Sequence, residues 1–300
     1  MGEDKEISRQ VWDGRIPICF TLAEDEHTPG QDPPPPYYVL APRISYLTLV
    51  TDACQRHFLN SKREPPNFDD EFWCDLNGMP LKWNYPIGVL FDLYGSPDML
   101  PWNITVHFQV YPEDDILHCA EKSVVEEHML SCLKEADCIR NGSAKRTLNL
   151  LKKDVKQLWD GFRSGNYERY WQINKRLAPH DGESAKNIPF RIYRRQGGVV
   201  MGPFNPINEQ GEFQTLGDLL STCLPDLYPP ATSYASETDN LQHSLKPTPI
   251  VIIQGVQPSL ETPVQWLSDS CSHPDNFLHI VIRMSDEEVE IADDSVQPPM

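Results

Sequence analysis

Four residues of the types that carry thiol and metal chemistry stand close together near the middle of this sequence: His118, Cys119, His128 and Cys132. An imidazole that takes the proton of a thiol makes a thiolate, the nucleophile of thiol enzymes. His128 and Cys132 are four residues apart, so on a helix they share one face and have metal-ligand spacing. Both also fall in an apolar stripe, which is equally the pattern of core packing. His118 and Cys119 are chain neighbours, which rarely face each other, and no third partner is evident. Other catalytic signatures are missing. There is no GxGxxG, no Walker loop, no HExxH and no CxxC, and Cys132 and Cys138 lack the second pair a zinc finger needs. No metal and no cofactor is expected, and the eight cysteines read as reduced, mostly packing thiols.

Other short runs carry less. His273-Pro274-Asp275-Asn276 is faintly similar to the His-Pro-Asn of ubiquitin-conjugating enzymes, but the nucleophilic cysteine that should follow is absent. The run reads as a turn before a strand. Asn103 and Asn141 begin glycosylation sequons, taken as chance matches because no secretory signal precedes them. A transferable modifier would end in an exposed glycine. This chain ends Pro298-Pro299-Met300, and Gly197-Gly198 falls inside a hairpin. The opposite role needs an acceptor lysine. Val124, Val125, His128, Met129, Cys132, Leu133 and Ala136 form one helical stripe, and at 100° per residue Lys134 lies about 185° from its mean direction. Its amine is therefore free to enter another enzyme's thioester site, or only to solubilise the helix. Glu127 and Glu135 are the nearby acids that could take its proton.

The elements that must position these groups fall into three sets. Ile16, Ile18, Phe20 and Leu22 alternate as a strand, and Tyr37–Leu40 is a second. A helix capped by Ser45 runs to about Asn60. Asn77-Gly78 marks a hairpin, Pro86–Tyr94 a short apolar helix or turn, and Trp102–Phe108 a closing strand. That is the β-grasp order of ubiquitin-like domains, with an unrelated α+β sandwich as the alternative. Residues 122–177 are helical, the second helix carrying Leu148, Leu151, Val155, Leu158 and Phe162 and ending at Gly161 and Gly165. The third is capped by Asn166 or Ser164. From Ile188 the strand–strand–helix–strand–strand pattern returns, with Thr215 as cap. The expected class is α+β: two ubiquitin-like β-grasp domains flanking a helix-rich domain. Its expected parts are a lead-in (1–10), a first domain (11–112), helices (118–180), and a second domain (187–284) with a mobile 224–249 loop. An acidic, disordered tail (285–300) follows.

Composition narrows the functions. The chain carries a net charge of −18 and is 39% hydrophobic, with 28 prolines among 300 residues. General nucleic-acid binding, which wants a basic footprint, is not expected. No apolar run reaches the ~20 residues of a membrane-spanning helix, and a cytoplasmic protein is expected. Between Arg140 and Arg195, however, 14 basic residues face 5 acidic ones. This local excess is either a solvated surface or a patch for anionic membrane or an acidic partner. Lys152, Lys153 and Lys156 share one helix face at its centre.

Several blocks together resemble the autophagy protein five family. They include Pro42-Arg43-Ile44-Ser45-Tyr46-Leu47-Thr48-Leu49-Val50-Thr51-Asp52, Tyr85-Pro86-Ile87-Gly88, Leu133-Lys134-Glu135-Ala136-Asp137, Thr215-Leu216-Gly217-Asp218-Leu219-Leu220 and Pro274-Asp275-Asn276-Phe277-Leu278-His279. The resemblance spans about residues 7–284. It implies that Lys134 forms an isopeptide bond with the C-terminal glycine of the ubiquitin-like autophagy protein twelve, delivered by a conjugating enzyme of the autophagy protein ten type. It further implies that an N-terminal helix of autophagy protein sixteen holds the conjugate. The assembly would then act like an E3 ligase, joining autophagy-protein-eight modifiers to phosphatidylethanolamine on pre-autophagosomal membranes. The chain alone would not be catalytic. Trp12 and Tyr94 are candidate linings of a groove for the partner helix, though both are also natural core residues. A thiol or metal enzyme built on His118, Cys119, His128 and Cys132, and a noncovalent adaptor of ubiquitin-like proteins, remain the alternatives.

Overall fold

A computed structural model describes residues 5–27, 30, 32–59, 71–119, 121–178, 185–229 and 249–284. The described residues open with a helix, α1 (Lys5–Asp13), where the sequence suggests only a lead-in over 1–10. Nine mostly polar residues are too few to show a clear period. What makes this a helix is docking: Ser8 and Trp12, four apart, turn inward, and Trp12 Nε1 donates to Gly165 O at 3.0 Å.

The first β-grasp domain follows. It comprises β1 (Arg15–Leu22), β2 (Tyr37–Pro42), α2 (Leu47–Val50), α3 (Asp52–Leu59), β3 (Trp73–Leu76), β4 (Met79–Pro80), α4 (Ile87–Tyr94) and β5 (Trp102–His107). Its sheet runs β2-β1-β5-β3-β4, with β1 and β5 parallel. The β3–β4 hairpin turns on Asn77 and Gly78, both at positive φ, which suits their residue types. The expected single helix after Ser45 is instead split at Thr51, and its N-cap is Tyr46, not Ser45. The Ser45 carbonyl accepts the Ile87 N–H, so Ser45 anchors α4.

The helical domain holds α5 (Lys122–Asn141), α6 (Lys145–Leu148), α7 (Lys152–Arg163) and α8 (Tyr167–Asn174). Leu148 and Leu151, expected in the buried stripe of the second helix, are 64% and 57% exposed. The helix breaks between them, so the 3–4 spacing does not continue around one axis. Gly161 lies inside α7, where a Cβ would come within 2.8 Å of Tyr170 N. Only Gly165 ends the helix, at φ 66°. Asn166 caps α8 through the Arg169 N–H, which decides between the two expected caps.

The second β-grasp domain is β6 (Ile188–Arg194), β7 (Val200–Phe204), α9 (Leu216–Cys223), β8 (Pro249–Ile252), α10 (Val264–Cys271) and β9 (Leu278–Met284). Its sheet order β7-β6-β9-β8 repeats the first, again with a parallel central pair. Thr215 caps α9 as the sequence suggests, and Asp218 completes a capping box with it. Most of the 224–249 loop and the whole acidic tail lie outside the described residues.

Helix α4 explains how the domains join. Seven of its eight residues are buried. Ile87, Leu90 and Phe91 fill the first domain's core, while Val89 and Leu93 pack on Tyr193 and Val281 of the second sheet. The second sheet is therefore covered on both faces, which is why β6 and β9 are buried along most of their length, polar positions such as His279 included. A short loop, 273–277, joins all three domains. His273 Nε2 meets Ile44 O at 2.7 Å, and Tyr170 donates its hydroxyl to Pro274 O. Asn276 and Asn174 exchange reciprocal amide bonds at 2.9 and 3.0 Å, and Arg140 donates to Asn276 O.

Candidate functional site

Lys134 sits in the fourth turn of α5 and is exposed, as the helical stripe implies. Its neighbours are not free. Leu133 and Ala136 are fully buried, and Cys132 is 3% exposed. Asp137, also buried, accepts from Asn141 Nδ2 (2.8 Å), Thr147 N (2.8 Å) and Thr147 Oγ1 (3.1 Å), so it caps α6. Glu135 is bound by Arg191 Nη2 at 2.7 Å. Both carboxylates nearest in sequence are thus committed elsewhere, and among the described residues no ion pair or hydrogen bond holds the Lys134 amine. Glu127 is exposed on the same side but two turns back, about 10 Å along the axis. Among the described residues this turn therefore presents one unpaired amine and no uncommitted carboxylate close to it.

The thiol and imidazole groups do not assemble a catalytic pair. The His118 ring turns to Glu71 (2.7 Å) and stacks on Tyr111, away from the Cys119 thiol. Burial, with Glu71 nearby, pushes Cys119 up to about 11. Cys132 Sγ is 3.7 Å from His128 Nε2, but burial and the Asp275 charge raise its thiol to about 12 while burial lowers His128. A thiol held that high beside an imidazole held low keeps its proton, the reverse of an activated nucleophile.

One group of three metal-ligating side chains exists among the described residues, and it was not singled out for metal binding: His273, Asp275 and His279, all buried. Its hydrogen bonds close without an ion. His273 Nε2 meets Ile44 O at 2.7 Å, and its Nδ1 lies 3.2 Å from Asp275 Oδ1 and 3.3 Å from Asp275 N. His279 Nε2–H donates to Asp275, and its Nδ1 takes the Tyr193 hydroxyl at 2.9 Å. Arg191 Nη1 stands 3.9 Å from the same carboxylate. Burial alone would raise Asp275, yet His279 and His273 hold it well below the usual range. This is a charged knot at the domain junction. It does not suit a cation, which would have to displace the Arg191 charge.

Trp12 is 2% exposed and packed on Tyr167 and Tyr170, so it takes the core role. Tyr94 is half-buried between the two β-grasp cores. Two hollows could receive a partner. The larger, between α1 and α8, is rimmed by charges that neutralise one another, such as Arg9 with Asp13 and Glu168. The other, about 540 Å³, lies between the two β-grasp domains. Ile16, Phe91, Leu100, Ile250 and Ile252 give it apolar walls, and Leu100 is 44% exposed. Its floor is Arg43, paired at 2.5 Å with buried Asp92, whose carboxylate also accepts the Gly255 N–H. Sequence reading missed this groove because its two walls are some 150 residues apart along the chain. Lys152, Lys153 and Lys156 are exposed together on α7, though Lys156 lies 3.5 Å from Asp160.

Comparison with known proteins gives consistent matches. Family models described as the UblA domain, the alpha-helical bundle region and the UblB domain of autophagy protein ATG5 match residues 11–108, 122–180 and 187–282. Autophagy protein 5 of Drosophila melanogaster is 35% identical over 290 residues, covering 95% of this chain and all of that protein. The protein of the same name from Arabidopsis thaliana is 28% identical, covering 93% and 97%. The crystal structure of Kluyveromyces marxianus Atg5 superposes with a TM-score of 0.74 at 24% identity, covering 93% of this chain and all of that one.

Proposed function

This chain belongs to the autophagy protein 5 family, and we propose that it serves autophagy as an acceptor and scaffold, not as a catalyst. Lys134 receives the C-terminal glycine of autophagy protein twelve. The Nζ lone pair attacks the thioester carbonyl on the conjugating enzyme, a C–N bond forms, and the C–S bond breaks. The thiolate stays on that enzyme. At neutral pH a lysine is mostly protonated. With Glu135 committed to Arg191, the base that removes the proton comes from the conjugating enzyme. One observation carries this reading: Lys134 is the exposed, unpaired residue of a turn whose other members are tied down.

The groove between the β-grasp domains is the proposed seat of the helix of autophagy protein sixteen, because apolar walls over a charged floor suit an amphipathic helix. The basic face of α7 is the proposed peripheral contact with anionic or phosphatidylethanolamine-containing membrane, where the assembly promotes lipidation of autophagy-protein-eight modifiers. No helix among the described residues is long and apolar enough to cross a membrane. The test is peptide mass spectrometry of the adduct with Lys134→Arg alongside. Arginine keeps charge and helix propensity but lacks the reactive amine. The expected result is an isopeptide at Lys134 in the native chain and no adduct in the variant, with an unchanged melting temperature. An adduct at normal level in Lys134→Arg would refute the assignment.

A further inference from the structure

The turn that carries Lys134 is gripped from two sides. Thr147 of α6 holds one side, through Asp137 and the Leu133 carbonyl (3.4 Å). Arg191 of β6 holds the other. Its backbone is fixed between two strands, opposite Met201 and His279. Its guanidinium lies 4.0 Å over the Phe277 ring, donates to Glu135 Oε2 at 2.7 Å and to Cys132 Sγ at 3.4 Å, and is 13% exposed. Cys132 and Glu135 bracket Lys134 at two residues before and one after.

We propose that Arg191 is a positioning residue for the acceptor: it locks the Cys132–Glu135 turn of α5 against the second β-grasp sheet and so aims Lys134 at the incoming thioester. The inference rests on reading Lys134 as the acceptor. A lysine stem is flexible, so what the fold fixes is where the stem starts and which way it leaves. Acyl transfer requires the amine within about 3–3.5 Å of the carbonyl carbon, and misplacement by about 1 Å costs on the order of a hundredfold. A rotation or slide of α5 would produce such an error, and the planar fork of Arg191 resists both motions at once. The Asp275 carboxylate, 3.9 Å away, accounts for a buried charge at this position but not for the fork to Glu135 and Cys132. An ion pair of this kind typically gains little over apolar packing, so the value of the Glu135 contact lies in geometry. The Glu135 partner, 41% exposed, would cost nothing left in water.

The experiment is single-turnover discharge of the charged conjugating enzyme onto the full-length chain at rising chain concentration. Arg191→Gln, Arg191→Lys, Glu135→Gln, the Arg191→Gln/Glu135→Gln double variant and Lys134→Arg are compared. For Arg191→Gln the saturating rate is expected to fall about ten- to a hundredfold, while the half-saturating concentration stays within about twofold. Arg191→Lys, which keeps charge but loses the fork, should recover part of the rate. Glu135→Gln should fall in the same direction, with the double variant no slower than Arg191→Gln alone. Binding of the autophagy protein sixteen helix at the distant groove checks the fold. Should Arg191→Gln fail that check, Glu135→Gln carries the decision, since it breaks the ion pair at a half-exposed position. A saturating rate within twofold of native in the folded variants, a loss confined to half-saturation, or additive losses would overturn the proposal. If Lys134→Arg still accepts the modifier, the acceptor reading itself has failed, and the clamp with it. If Lys134→Arg is dead and Arg191→Gln is fully active, the clamp alone has failed.

Discussion

His279 and His128 are both held below the ordinary histidine range, chiefly by burial, even though Asp275 works to raise each of them. In the unfolded chain each would titrate near pH 6.5. As pH falls through that value the unfolded chain takes up protons first, so stability present above about pH 6.5 is lost toward the folded values. Each group contributes at most about 1.4 kcal/mol per pH unit in that window. Asp275 acts in a different window. Its depressed carboxyl adds stability that is complete above about pH 3.9 and lost only below it. The urea midpoint is therefore expected to fall between about pH 7 and pH 5. His279→Gln, which keeps a donor toward Asp275, should flatten the slope whatever it does to the midpoint. An unchanged slope in that variant would place the titration elsewhere. Lys134 was legible in the sequence because the helical period alone decides which way it points. Arg191 was not, since it meets Glu135 across 56 residues of chain and nothing local marks it.

At the scale of elements, strands and caps with local chemistry were readable: the Asn77-Gly78 turn, the Thr215 cap and the alternation of β1. What failed were decisions made by packing. Gly161 looked like a helix terminator but is the notch through which α8 crosses α7, with the Tyr170 backbone against it. The exposed Leu148 and Leu151 mark a break the period could not show. Helix α7 also bears the membrane prediction. Lys152 and Lys153 extend from it without a partner among the described residues, whereas Lys156 shares Asp160, which Arg169 also engages. A basic residue at an anionic surface contributes about 1 kcal/mol, so removing three charges weakens binding by up to about a hundredfold. Liposome flotation should show binding that rises with anionic lipid and falls with salt. The Lys152→Glu/Lys153→Glu/Lys156→Glu variant should lose most of it. Binding indifferent to salt, or intact in that variant, would remove α7 from the contact.

Across the whole molecule, the two β-grasp domains are not beads on a string. Helix α4 belongs to both cores, and the groove beside it exists only while they are joined. Helix α5 and the groove are thus held by one junction, which is what the proposed conjugate would need in order to hold a second protein as well. The groove assignment predicts that Leu100→Asp, at an exposed wall position, weakens binding of the autophagy protein sixteen helix at least tenfold, because a carboxylate would be desolvated on docking. Its melting temperature should stay near native. Binding titration by calorimetry reads this directly, and undiminished affinity would move the helix to another surface. The fold class was legible because the strand–helix order repeats. The groove was not, because neither half exists without the other.

The loop at 273–277 has one more consequence, set by its place in the order of synthesis. It is the piece that touches Ile44, Arg140, Tyr170 and Asn174, and it is made after all of them. While the ribosome is still translating, the first and helical domains can already share the core built on Trp12, Tyr46, Trp83, Val125, Met129 and Leu133, but the hydrogen bonds of this loop await its own residues. Arg191 emerges long before Phe277, the ring it rests on, and before Asp275. A nascent chain therefore has α5 packed on the first domain but without the Arg191 side of its grip, and the geometry proposed for Lys134 is complete only after residue 277 has emerged.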